Sequence, residues 1–182
     1  MQWQAFATAR LRSRDAAGFT LLELTLVLLI LAVVLGIVVP RLRDTDRARL
    51  ESEVRKLAVT LRYLRQAAIL NGRTYRLNYG IDDGRYWVTS ADGDDSLGSF
   101  QPDSEIMRPV VLSSPVGFSD LVLPDTIGMV QEGSGFTDFY PDGWVDLTLL
   151  HLDNGQESYT LFVDSLTGHV SIAAGYHELP SL

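Results

Sequence analysis

Between Phe19 and Val39 the chain runs for 21 residues with one ionisable side chain, Glu23. As an α-helix rising about 1.5 Å per residue, the run spans roughly 31 Å, close to the hydrocarbon thickness of a bilayer. The direct expectation is a single membrane-spanning helix over residues 19–40, with everything else arranged on either side of it. A carboxylate inside such a segment costs on the order of a few kcal/mol unless it lies at the interface or finds a partner. Glu23, four residues into the run, is therefore a candidate functional residue.

The remainder, Arg41 to Leu182, has room for one modest globular domain and not for a second independent core. Most of the seven Phe, seven Tyr and three Trp lie outside the run and can fill that core. There is no cysteine, which excludes a disulfide framework, a thiolate metal site and a cysteine nucleophile. Arg10, Arg12 and Arg14 before the run, against a single Asp15, place the amino terminus on the cytoplasmic side and the carboxyl-terminal domain across the membrane. Arg41, Arg43, Arg47 and Arg49 after the run make this asymmetry less clean. A cleaved secretory signal is the rival reading. Against it, the uncharged stretch Leu24 to Val39 is already 16 residues long and ends at Val39-Pro40-Arg41-Leu42 without a small-x-small site.

The segment Gly18-Phe19-Thr20-Leu21-Leu22-Glu23, behind a short basic leader and opening a hydrophobic helix, resembles the class III signal of type IV pilins and type II secretion pseudopilins. That resemblance implies a leader, residues 1–18, removed by a prepilin peptidase that cuts the Gly18–Phe19 bond and methylates the new amino terminus at Phe19. The hydrophobic helix is then retained. The chemistry of the motif supports an assembly role for Glu23. Cleavage exposes a cationic α-amine at Phe19, and Glu23 stands one helical turn along, where opposite charges on one subunit or its neighbour can meet. In low dielectric, an incoming amine that neutralises Glu23 relieves the burial cost of both, a register latch.

Beyond the run, Gly36 and Pro40 both weaken helix, so a kink or a plain helix break at the membrane surface is expected there. Leu50, Val54, Leu57, Leu61, Leu64 and Ala68 then recur at helical spacing, predicting an amphipathic stem over residues 41–72 that Asn71-Gly72 ends. From Arg73 the pattern alternates. Tyr75, Leu77 and Tyr79 share one face, and Asp82-Asp83-Gly84 turns the chain into a second strand from Arg85 to Ser90. Ala91 to Pro109 reads as a long loop. Val110 to Leu112 is expected to form a strand pairing near Leu121 to Leu123. Turns at Pro141-Asp142-Gly143, Asp153-Asn154-Gly155 and Leu166-Thr167-Gly168 predict that Gly135 to Ala173 is an antiparallel meander. The fold class is thus α+β: a long amino-terminal helix packed on an antiparallel, β-rich head over residues 73–182. The run Phe139-Tyr140-Pro141-Asp142-Gly143, followed by Val163-Asp164 and Leu166-Thr167-Gly168-His169-Val170, resembles the end of the H-type minor pseudopilins of type II secretion (general secretion pathway protein H). Minor pilins of the FimT and FimU type share that domain.

Charge narrows the partners. Arg41 to Asn71 holds eight basic and four acidic residues, net +4, whereas Gly72 to Leu182 holds four basic and seventeen acidic, net −13. A head with only Arg73, Arg76, Arg85 and Arg108 is ill suited to phosphate backbones, so nucleic-acid binding is not expected. The basic stem suits lipid headgroups or acidic surfaces of neighbouring subunits. Asp92-Gly93-Asp94-Asp95-Ser96, with Asp103 at the closing distance, imitates a calcium loop, but Leu97 stands where such loops need glycine. His151, His169 and His177 lack metal-ligand spacing, and Gly133-Ser134-Gly135 misses the nucleophile-elbow pattern. No catalytic residue, metal or cofactor is expected, and Trp87 and Trp144 read as sheet or interface aromatics. The expected function is that of a structural minor pseudopilin in the inner membrane with its head in the periplasm. Its partners would be the other minor pseudopilins, the major pseudopilin, prepilin peptidase and inner-membrane lipid. A minor pilin of a type IV pilus, or a single-pass anchored sensing domain, are the alternatives.

Overall fold

The computed structural model describes residues 20–92, 100–123 and 128–178, without the side chains of residues 37–44 and 92. The chain divides into two units, Met1–Arg41 and Leu42–Leu182, each taken by itself. Helix α1, Leu21–Asn71, is one element carrying Pro40 in its interior, so no break is assigned at that proline.

In the first unit the described helix, Leu21 to Gly36, is exposed at every position and apolar all round except for Glu23, Thr25 and Gly36. A helix hydrophobic on every face belongs in lipid or in the interior of an assembly. Among the described residues, no helix is long and apolar enough to cross a membrane.

In the second unit the stripe Leu50, Val54, Leu57, Leu61, Leu64 and Ala68 is wholly buried. Full burial of each leucine contributes roughly 1.5–3 kcal/mol relative to exposure, so this one helix face is a principal source of the head's stability. It packs into a single apolar cluster with residues of two sheets, among them Tyr75, Leu77 and Tyr79 on one side and Leu121, Leu150 and Leu161 on the other. Glu53, on the same helix and equally buried, is satisfied by Lys56 Nζ at 3.0 Å and by the Ser113 hydroxyl at 2.8 Å.

The first sheet is built on the expected hairpin. β1 (Arg73–Gly80) pairs antiparallel with β2 (Arg85–Asp92), from Arg73 opposite Asp92 to Gly80 opposite Arg85. Two short strands, β3 (Gln101–Pro102) and β4 (Val110–Val111), edge β2. The second sheet contains β5 (Gly117–Leu123) and β6 (Gly128–Val130). After β7 (Ser134–Phe139), it is completed by β8 (Thr148–Asp153), β9 (Ser158–Val163) and β10 (Val170–Ala174) in the order β10-β9-β8-β5-β6.

Two expectations are corrected here. Val110–Val111 pairs with β2, while Leu121 to Leu123 lies in the other sheet between β8 and β6. The meander is limited to β8, β9 and β10, because β7 leaves it to pair with β1 across the first sheet, keeping only the Phe139–Val145 bridge to the turn that follows. The reason is chemical. Asp138 on β7 meets Arg76 on β1 through two bonds of 2.7 Å, and the Arg76 guanidinium is stacked between Phe100 and Phe136, each 3.8 Å from its centre. The two sheets approach so closely at Gly135 that a Cβ there would overlap Leu121.

Gly168, in the β9–β10 turn, has φ +60°, and a Cβ on it would collide with the Arg65 side chain, whose Nε donates to the Gly143 carbonyl at 3.0 Å. Gly168→Ala therefore meets both left-handed strain and the loss of this helix-to-turn tie. A cost of about 1–3 kcal/mol is expected, read as a lower urea midpoint at unchanged slope.

Candidate processing and assembly site

Helix α1 starts from a cap. The Glu23 amide donates to Thr20 Oγ1 at 3.2 Å, and the Leu24 amide donates to the Thr20 carbonyl at 3.1 Å. Thr20-Leu21-Leu22-Glu23 thus makes the threonine half of a capping box. Thr20 carries no role in the sequence-based expectation; the T-x-x-E spacing is the signal that identifies it. The cap fixes the first turn and with it the place of Glu23, where a carboxylate also complements the positive end of the helix dipole. Thr25 turns its hydroxyl back onto the Leu22 carbonyl at 2.8 Å, satisfying a polar group on an otherwise apolar surface. Among the described residues, the Glu23 carboxylate takes part in no hydrogen bond or ion pair. Gly18 and Phe19, the expected cleavage and methylation positions, lie outside the described residues.

The other candidate positions resolve as parts of the head. Residues 93–99 of the calcium-like loop lie outside the described residues. Its closing carboxylate, Asp103, accepts from the Ser90 hydroxyl at 2.9 Å and from the Ile106 amide at 3.1 Å. Among the described residues, no group of three His, Cys, Asp or Glu is arranged to hold a metal ion. His151 is fully buried, with Nδ1 2.5 Å from Asp120 Oδ1 and Nε2 2.9 Å from the His177 carbonyl. Tyr176 stacks on its ring at 3.9 Å. Burial, and then its hydrogen bond to Asp120, raise the Tyr176 phenol above its ordinary value. This cluster pins the segment after β10 to β8. Its members are far apart in sequence, so no local spacing announces it.

Asp146 shows a second internal carboxylate. Burial first, and the nearby Asp138 carboxylate after it, raise its acid above the ordinary value of 3.8, while the bond from the Asp138 amide at 3.1 Å opposes them. Because the raised group holds its proton more tightly folded than unfolded, its contribution to stability is present below pH 3.8 and lost as pH rises through the raised value. Asp146→Asn keeps an oxygen for the Asp138 amide and removes that loss. Its urea midpoint is expected to gain on the parent as pH rises from about 4 to neutrality.

Comparison with known proteins agrees with this geometry at both ends. Residues 13–39 match the prokaryotic N-terminal methylation motif. No curated protein sequence matches the chain. The methylation motif, the capped apolar helix with its first-turn carboxylate and the helix-on-sheets head are together the features of a pilin-like fold.

Two of the solved structures it resembles are of the minor pseudopilin EpsH from the type II secretion system of Vibrio cholerae. One is 16% identical, with a TM-score of 0.52, and covers 69% of this chain and 97% of its own. A second is 15% identical, with a TM-score of 0.56, and covers 72% and 97%. The chain joins a prepilin-like methylation motif to the fold of an EpsH-type head.

Proposed function

We propose that the chain is a structural minor pseudopilin of a type II secretion system. It is cut between Gly18 and Phe19 by prepilin peptidase, methylated at Phe19, held in the inner membrane by its helix and exposed to the periplasm through its head. It takes a place near the tip of the pseudopilus, among the other minor subunits and the major one, and supports export of folded proteins across the outer membrane.

The observation that carries this reading is the pairing of an all-apolar, Thr20-capped helix, with its one carboxylate unpartnered in the first turn, with an EpsH-like head. An α-amine at Phe19 would stand directly before the cap, at the positive end of the helix dipole, where a cation is disfavoured. A neighbour's Glu23 offsets this cost, and the amine in turn compensates a carboxylate in apolar surroundings. Glu23→Ala is expected to be processed normally yet to join the filament at least about tenfold less, since a tenfold loss needs only about 1.4 kcal/mol of that pairing. Quantitative cross-linking to the major subunit in membranes measures it. Unchanged incorporation would contradict the latch.

A further inference from the structure

We propose that the groove between α1 and the free edge of β10 takes an extended acidic segment of a partner protein as an added strand. Among the described residues, β10 pairs with β9 alone. The Gly175 amide bonds the Ser158 carbonyl, and the His169 carbonyl accepts from the Asp164 amide, so odd-numbered residues of this segment face β9. By the alternation of an antiparallel ladder, Val170, Ile172 and Ala174 turn their backbone groups outward. Both ends of that outer row are covered: Arg62 donates to the Val170 carbonyl at 2.7 Å, and the His177 ring lies 2.8 Å from the Ala174 carbonyl. Ile172 remains between them, its N–H and C=O open among the described residues. Val170 to Ala174 carries no charge and no proline, two of the devices that usually protect an exposed edge.

Beside this edge lie two hollows of about 350 and 370 Å³ that share Tyr159. Tyr159 lines both, and Val54 and Ile172, the last 39% exposed, line the second, giving it apolar walls for a side chain of an added strand. The rim's charges select its sign. Arg47 lies 3.4 Å from both Glu51 and Glu157 and offsets one of these two charges, and Glu51 also accepts from the Tyr159 hydroxyl; with Arg55 and Arg62 the rim still holds more basic than acidic side chains. Arg55 has no partner among the described residues, and Arg62 is opposed only by a carbonyl. The unmatched charge on the helix side is positive, which fits carboxylates on the incoming segment. The site belongs to the head alone and holds whether or not the chain enters a filament.

The test uses the full chain in detergent micelles and a fluorescent peptide of alternating glutamate and valine, followed by anisotropy and by hydrogen exchange. Saturable binding that protects the Ile172 amide supports the proposal. So does weakening by at least about tenfold in Ile172→Pro, which removes the edge N–H, and in Arg55→Glu, with Val111→Asp, exposed on β4 of the other sheet, unaffected. Arg55 is exposed on the helix, so its variant decides the matter if the proline variant fails to fold. The proposal is overturned by absence of saturable binding, by equal binding of a lysine–valine peptide or of an acidic helical peptide, by indifference to both variants, or by self-association of the chain that the peptide does not compete away.

Discussion

Gly18→Val is expected to leave residues 1–18 attached and Phe19 without a methyl group. The proposed scissile bond follows Gly18, a residue without a side chain, and a branched Cβ there would block close approach of a peptidase to the backbone. The effect should be nearly complete, because the uncleaved chain has no α-amine at Phe19 to present to a neighbour's Glu23. Incorporation should fall at least as far as in Glu23→Ala, and immunoblotting of membranes for the shift between precursor and mature forms reads the first step directly. Normal processing of this variant would move the cleavage site elsewhere and remove the latch argument with it.

Asp138→Ala is expected to give the largest loss of stability in the head. The Asp138 side chain is 4% exposed and that of Arg76 20%, so removing the carboxylate strands a guanidinium between Phe100 and Phe136. Breaking such a pair costs about 3–5 kcal/mol, most of it from the charge left behind. For a domain of this size the melting temperature should drop by roughly 10–15 °C, followed by circular dichroism. Replacing both partners, Arg76→Met with Asp138→Leu, should recover much of that loss, since no unpaired charge then remains. If the double variant were as unstable as the sum of its singles, the pair would not be the source.

The amino-terminal helix, the buried stripe of the stem and the β1–β2 hairpin were legible because each is written in local periodicity or turn chemistry. Leu50 to Ala68 at alternating steps of four and three residues can serve only one helix face, and Asp82-Asp83-Gly84 closes a hairpin within its own few residues. The strand partners of Val110–Val111 and of β7 were not legible. Pro141-Asp142-Gly143 marks a turn but not whether the strands it joins share a sheet. That is decided by Arg76 and Asp138, which lie on strands far apart in the chain and meet only when the fold is complete. The same holds for His151 with Asp120. At the candidate site the order was reversed: Gly18, Phe19 and Glu23 were chosen from the sequence. The structure then added Thr20, the cap that fixes the first turn and presents Glu23 there.

The central claim is that this chain is a processed, polymerising subunit rather than an anchored domain that keeps its leader. Intact mass and amino-terminal fragment spectra of the protein recovered from membranes test it most directly. The account predicts a chain that begins at Phe19 and carries a methylated α-amine there. A chain that retains residues 1–18, or one cut beyond Val39 with the apolar helix removed, would contradict it.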